Sequence, residues 1–310
     1  MRSQKTHVTR KTLAESVHHA AQTLEGSGWG GSAARRDAEV LARAILRWDV
    51  ADWLSKQGQE AGETFQTTFD AALTRRLRRE PVAYITGERE FYGRPFVVSS
   101  SALVPRPETE LVVDEGLGAL AERQSADRRA PDVIDVGTGS GILAVTLALE
   151  SPTARMIATD VSPAALALAA VNVKRFDLTD RVELRHNSLL GDEANRFDLV
   201  VSNPPYVAER DRPGLMPDVR DYEPGVALFG GADGFDVIRA LLPAAERGLR
   251  PGGWLVMEVG AGQSDEVTAI LEQLTSLVVV RIASDLAGIA RVLVARRPNS
   301  PTLSNSSAFD

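Results

Sequence analysis

Asp132-Val133-Ile134-Asp135-Val136-Gly137-Thr138-Gly139-Ser140-Gly141 decides how this chain folds. Residues 132–136 form a short, mostly apolar run of strand length, and alternating glycines then lead into an apolar helix over 142–149. A strand, a glycine loop and a helix in that order begin an α/β sheet whose loop backbone can approach a ligand closely. Working outward, the alternation continues. Strand 155–159 ends at Asp160, and helix 162–175 is capped by Ser162 with Pro163 in its first turn. Strand 182–186, strand 197–201, helix 235–249, strand 254–259, helix 263–274 and strands near 278–282 and 290–295 complete the pattern. The stretch 207–233 is too long for a simple connection and reads as functional.

Asp160 ends the strand that follows the glycines, about 20 residues on, where a carboxylate grips ribose hydroxyls. Glycines and an acid alone do not separate NAD from S-adenosylmethionine. The spacing G-x-G-x-G departs from the dinucleotide fingerprint G-x-G-x-x-G and tilts away from it.

A second stretch, Val200-Val201-Ser202-Asn203-Pro204-Pro205-Tyr206, closes the fourth strand on a stiff turn. Both prolines have a fixed φ and no N–H, and Asn203 is pushed towards extended geometry by the proline after it. That end of an open α/β sheet is where ligands bind. The turn offers a side-chain amide, carbonyls without competing donors, and an aromatic ring. This suits methyl transfer to a planar nitrogen, whose lone pair is delocalised and poorly nucleophilic. The Asn203 oxygen and the Pro204 carbonyl can each accept one of its N–H hydrogens, and Tyr206 can pack on the planar group. The alternative is a Pro-Pro loop without chemistry. Glycine loop, ribose acid and Asn-Pro-Pro-Tyr together point to an amino-methyltransferase.

Composition narrows the partners. With 35 basic and 42 acidic residues the net charge is −7, which argues against a protein whose main work is gripping a phosphate backbone. The absence of cysteine excludes disulfides and thiolate metal sites and fits a cytoplasmic protein. Residues 1–7 have no apolar segment behind them that would make a signal peptide, and no run reaches the roughly 18 apolar residues of a membrane span.

Residues 9–80 read as a small helical bundle. Leu13, Val17, Ala20, Ala21 and Leu24 keep helical spacing, with Thr12 and Glu15 as a capping box. Gly26 to Gly31 breaks the chain. Ser32 is placed to cap a second helix, with Leu41, Ala44, Ile45 and Trp48 on one face. A short helix over 51–56 and a fourth marked by Phe65, Phe69, Leu73 and Leu77 follow. Arg75, Arg76, Arg78 and Arg79 form a charge run whose plain reading is a solvated face complementing the helix dipole, and whose sharper one is a contact for an acidic or nucleic-acid partner. A hairpin over 90–98 and a helix from about 110 to 122 lie between bundle and sheet, with 123–130 read as a loop. The resulting division is 1–80 helical domain, 81–130 hairpin and linker, 131–297 catalytic domain and 298–310 disordered polar tail.

Four further segments carry a resemblance: Pro81-Val82-Ala83-Tyr84-Ile85-Thr86-Gly87, Pro105-Arg106-Pro107-Glu108-Thr109-Glu110, Tyr222-Glu223-Pro224 and Gly231-Ala232-Asp233-Gly234. With Asp135 to Gly141, Asp160 and Asn203 to Tyr206, they follow the order of the HemK/PrmC family, the protein-(glutamine-N5) methyltransferases of class I peptide-chain release factors. The chain resembles that family over nearly its whole length. Asn-Pro-Pro-Tyr is shared with nucleic-acid amino-methyltransferases; the Pro-Arg-Pro-Glu-Thr-Glu block and a helical N-terminal domain are not.

The resemblance implies a seven-stranded Rossmann-like methyltransferase sheet, a small all-α bundle, a linking hairpin, and S-adenosylmethionine as methyl donor without a metal. It implies cofactor contacts from Asp135, Gly137, Thr138, Gly139, Gly141, Asp160 and Asn203, and from Ser188, where the family often carries an acid near the adenine. It implies that Asn203, Pro204, Pro205, Tyr206, Arg106 and Glu108 meet the substrate, with Asn203, Pro204 and Tyr206 catalytic. The acceptor implied is the Gly-Gly-Gln glutamine of a class I release factor, met by a monomer in the cytoplasm. A ribosomal-protein glutamine methyltransferase, a DNA adenine methyltransferase and a non-catalytic cofactor-binding module are the alternatives.

Overall fold

The computed structural model describes residues 11–126 and 129–299. The N-terminal heptapeptide and the tail expected over 298–310, apart from its first two residues, lie outside the described residues. The chain divides into two compact units, one running to Gly87 and taking in Pro217–Tyr222, the other formed by Glu88–Met216 and the chain from Glu223 onward.

In the helical unit, α1 (Leu13–Gly26) starts on the Thr12–Glu15 capping box and buries Leu13, Val17, Ala20, Ala21 and Leu24. Helix α2 (Gly31–Leu46) begins after Gly30, so Ser32 is not the cap but lies in the first turn. Its buried residues are Ala34, Ala38, Leu41 and Ala42, small side chains that admit close helix packing, whereas Ala44 is exposed. Then come α3 (Val50–Lys56), α4 (Glu63–Leu77), where Phe65 stacks on Phe69 at 5.2 Å, and α5 (Val82–Thr86). The arginine run is not one solvated face. Arg76 is only 5% exposed, with its Nε 2.8 Å from Asp37 Oδ2 and its guanidinium 3.7 Å from the Trp29 ring centroid. Burying the apolar stem and stacking the planar head on an aromatic ring is what Arg does well, given a carboxylate partner.

The second unit opens with an antiparallel hairpin, β1 (Glu88–Phe91) and β2 (Arg94–Val97), turning on Tyr92 and Gly93, both with positive φ as a tight hairpin turn requires. Helix α6 (Glu110–Ala126) runs past 122 into the expected loop. The hairpin and α6 thus belong to this unit and not to a connector; Val112, Val113, Ala119 and Leu120 of α6 sit in its core.

Strands and helices then alternate: β3 (Asp132–Val136), α7 (Ile142–Glu150), β4 (Arg155–Asp160), α8 (Pro163–Arg175), β5 (Val182–His186) and β6 (Phe197–Ser202). The segment 207–233 is not a plain loop but holds a 3₁₀ turn and the short helices α9 (Pro217–Tyr222) and α10 (Gly225–Leu228). Helix α11 (Asp236–Gly248), β7 (Leu249–Glu258), α12 (Ser264–Leu274), β8 (Val278–Ser284) and β9 (Ala290–Arg296) complete the unit. The seven strands stand in the order β5-β4-β3-β6-β7-β9-β8, with the first five parallel, β9 antiparallel to β7, and β8 antiparallel to β9. Strand β6 is buried along its whole length because helices cover both faces: Leu199 and Val201 pack with α6 and α7, Phe197 and Val200 with α11. The chain moves outward from β3 to β5, then returns to lay β6 on the other side of β3. That reversal leaves a crevice at the carboxyl ends of β3 and β6.

Candidate active site

Val136 and Ser202 are paired in register, so Gly137 and Asn203 leave adjacent strand ends side by side. A cavity of about 360 Å³ opens there, lined by Gly137, Thr138, Gly139, Asp160, Ser188, Asn203, Pro204, Pro205 and Arg106 among others. The glycine loop is anchored by the Gly137 and Thr138 N–H groups, both donating to the Thr159 carbonyl at 2.9 Å. Gly137, Gly139 and Gly141 all have positive φ. Gly141 does not line the cavity. A Cβ there would stand 3.3 Å from that of Ala169, so this glycine serves the packing of the loop on α8.

Asp160 is tied on both oxygens. Oδ2 accepts from Gly139 N–H at 2.9 Å and Oδ1 from Ser162 N–H at 2.8 Å, and each oxygen keeps lone-pair capacity for a diol. Asp135 lies fully buried beneath the loop. Its Oδ2 accepts from Thr138 Oγ1 at 2.6 Å and from Ala144 N–H at 3.1 Å, while Oδ1 is buried with no partner in the protein. Burial pushes this carboxyl up to about 7 against the pull of those two donors. Asp135 does not line the cavity, so the predicted cofactor contact gives way to support of the loop from beneath; the glycine-walled crevice and the ribose-competent acid Asp160 fit a nucleoside cofactor. Ser188 stands at the cavity wall. His186 bonds the Val161 carbonyl at 3.0 Å, a structural contact. Among the described residues no cluster of His, Asp and Glu could hold a metal ion.

Asn203 is held by a chain of contacts that the sequence pattern did not reveal. Its Nδ2 donates to Thr109 Oγ1 at 3.2 Å, and Thr109 donates to Glu258 Oε2 at 2.6 Å. Tyr206 donates to the other oxygen of Glu258 at 3.1 Å. Thr109 and Glu258 are 1% and 2% exposed. Burial pushes the Glu258 carboxyl up, opposed by the two hydroxyl donors and by Arg291. It also pushes the Tyr206 phenol up, with Glu258 adding to the effect. Tyr206 does not line the cavity, and its ring packs against the core beside α11 and α12. Its hydroxyl bond to Glu258 ties the end of the ring to β7 and supports the turn. Glu108 likewise does not line the cavity.

The remaining motifs brace the Asn203 turn and its facing wall. Glu223 is 6% exposed; it accepts from Val104 N–H at 3.1 Å and from Arg106 Nη2 at 2.6 Å, which ties down the Pro105–Pro107 loop. Gly230 and Gly234 let the backbone close over the turn: a Cβ on Gly230 would stand 2.5 Å from the Pro205 carbonyl oxygen, and one on Gly234 2.5 Å from that of Tyr206. Gln263 Nε2 donates to the Tyr206 carbonyl at 2.9 Å. Thr109 and Glu258 are the site residues that sequence reasoning missed. The signal for Glu258 was an acid closing an otherwise apolar strand, where a buried charge needs partners.

The chain is similar to proteins of known family. Residues 109–216 match the family described as methyltransferase small domain, and residues 15–87 match the PrmC N-terminal domain. It is 40% identical over 291 residues to the release factor glutamine methyltransferase of Koribacter versatilis (strain Ellin345), spanning 93% of this chain and 100% of that protein. It is 45% identical over 285 residues to that of Cereibacter sphaeroides, spanning 92% and 98%. Among solved structures, the hMettl16 catalytic domain in complex with MAT2A 3′UTR hairpin 6 shares the fold at a TM-score of 0.52 and 13% identity, over 77% of this chain and 83% of that one.

Proposed function

The chain belongs to the release factor glutamine methyltransferase family, and from that premise we propose that it methylates the side-chain nitrogen of the glutamine in the Gly-Gly-Gln segment of a class I release factor. The observation that carries this reading is one cavity lined jointly by the glycine loop, Asp160 and the Asn203-Pro204-Pro205 turn.

The cofactor is S-adenosylmethionine, which supplies an electrophilic methyl group on a sulfonium and departs as a neutral thioether. Asp160 would hold the ribose hydroxyls, the Gly137–Gly139 backbone would pass close to the nucleoside, and Ser188 would meet the adenine end. Asp135 orders the loop through Thr138 and Ala144. On the acceptor side, the Asn203 side-chain oxygen and the Pro204 carbonyl would each take one N–H of the glutamine amide. The fixed φ of both prolines holds that carbonyl in place. Holding both hydrogens fixes the nitrogen and favours the pyramidal form that attacks in line, so proximity and orientation supply most of the rate. The leaving thioether is neutral, so no general acid is required. Arg106 at the cavity wall would steer the acceptor segment. The helical unit, matched by the PrmC N-terminal domain, would dock the body of the release factor.

The net charge of −7 supports a protein acceptor over a nucleic acid. No helix among the described residues is long and apolar enough to cross a membrane, and the lack of cysteine fits work in the cytoplasm. The test is to incubate the chain with labelled S-adenosylmethionine and a purified release factor and to locate the label by mass spectrometry. A methyl group on the Gly-Gly-Gln glutamine is expected. Label on a nucleobase, on a ribosomal protein instead, or on a glutamine outside that segment overturns the reading.

A further inference from the structure

The acceptor step needs a hydrogen-bond acceptor from Asn203, yet a carboxamide can turn either end to the cavity. Which end faces it is decided two residues away. Thr109 Oγ1 donates to Glu258 Oε2 at 2.6 Å, a short hydroxyl–carboxyl hydrogen bond. The hydroxyl has one hydrogen, and that hydrogen is committed to Glu258. Towards Asn203, 3.2 Å away, the same oxygen can therefore only accept. Asn203 must turn its nitrogen to Thr109 and is left with its oxygen to offer the cavity that it lines. Tyr206 donates to the other Glu258 oxygen, so the carboxylate is an acceptor on both sides. Glu108 and Arg291 are the further charged groups that bear on Glu258, of opposite effect.

We propose that Glu258 is a positioning residue for methyl transfer: through the Thr109 hydroxyl it forces Asn203 to present its side-chain oxygen, not its amide nitrogen, to the acceptor glutamine. The inference rests on the reading of Asn203 as the holder of that amide. Without the relay, Asn203 would spend part of its time facing the acceptor N–H groups with its own N–H groups, donor against donor. The acceptor would then be bound but misoriented. Glu258 touches no reacting atom.

The experiment measures kcat on a release factor, and S-adenosylmethionine affinity by calorimetry, for Thr109→Val, Thr109→Ser, Glu258→Gln and the Thr109→Val/Glu258→Gln double variant, with thermal melts to confirm folding. Thr109→Val removes the acceptor and should lower kcat at least about tenfold with cofactor affinity within about twofold. Thr109→Ser keeps the relay and should restore kcat. Glu258→Gln offers one acceptor to two hydroxyls and should also lower kcat. The double variant should lose no more than Thr109→Val alone, because the relay is already cut and the glutamine's remaining oxygen still accepts from Tyr206. Near-normal kcat in folded Thr109→Val, a Thr109→Ser enzyme as poor as the valine variant, or multiplying losses in the double variant would overturn the proposal. Asn203→Ala run alongside separates the two levels: if it keeps normal kcat, the reading of Asn203 fails; if it is impaired while Thr109→Val is not, only the relay fails.

Discussion

The Glu223 carboxylate meets the Arg106 guanidinium at 2.6 Å across 117 residues of sequence, and its second oxygen accepts the Val104 N–H. One acid thus fixes the loop that carries Pro105, Pro107 and, at its end, Thr109. Its side chain is 1% exposed while that of Arg106 is 33% exposed, so the pair is dry on one side only. Glu223→Ala leaves the Val104 N–H buried without its acceptor and the arginine without its partner. The expected loss is about 3 kcal/mol of stability, the lower end for breaking a buried pair. Urea denaturation checks this, and a loss below about 0.5 kcal/mol would show that the loop stands without it.

Asn203→Ala removes one of the two acceptors proposed for the glutamine amide. The nitrogen's hydrogens become more acidic as it attacks, so the lost contact counts chiefly in the transition state. By analogy with deleting one preorganised donor in an acyl-transfer site, kcat should fall by about 10²-fold. Affinity for S-adenosylmethionine should barely move. Steady-state kinetics and calorimetry on the same preparation measure both.

Asp160→Ala acts on the other half of the cavity. The carboxylate braces Gly139 and Ser162 and would hold the ribose, so the variant should bind S-adenosylmethionine about 1.5–3 kcal/mol more weakly, the range for a hydrogen bond to a charged group. Unchanged affinity by calorimetry would remove Asp160 from the site and leave it as a loop brace.

Asp135 gives the fold a pH dependence of definite sign. Its carboxyl, ordinarily at 3.8, is raised by burial to about 7. The folded state therefore keeps this proton where the unfolded chain has lost it. The stabilising contribution of the protonated form is complete below about pH 4 and is lost as pH rises through about 7. Asp135→Asn cannot ionise. Between about pH 5.5 and 8 its urea midpoint should fall less than that of the parent protein. Equal pH slopes in the two proteins would place the titration elsewhere.

Local sequence determined most of the elements and half of the site. Strands β3, β5 and β6, the Thr12 capping box, the Ser162 cap and the glycine loop rest on residues at most four apart, so propensity, periodicity and fixed φ suffice to read them. Asp160 and Asn203 were legible for the same reason, since each closes an apolar strand at the end where such sheets bind ligands. Other features depended on contacts that no local pattern encodes. Thr109 reaches Asn203 over 94 residues and Glu258 over 149, and the direction of that relay follows from which oxygen already holds a carboxylate. Arg76 read as one charge among four until Asp37 and Trp29 closed on it. Gly141 read as ligand contact until α8 was seen packed against it. Tyr206 read as a substrate platform, and only the fold shows its hydroxyl tied to Glu258. A residue's neighbours along the chain set its backbone. Its burial and its hydrogen-bond partners are set by whichever distant elements the core brings against it, and only the folded sheet fixes those.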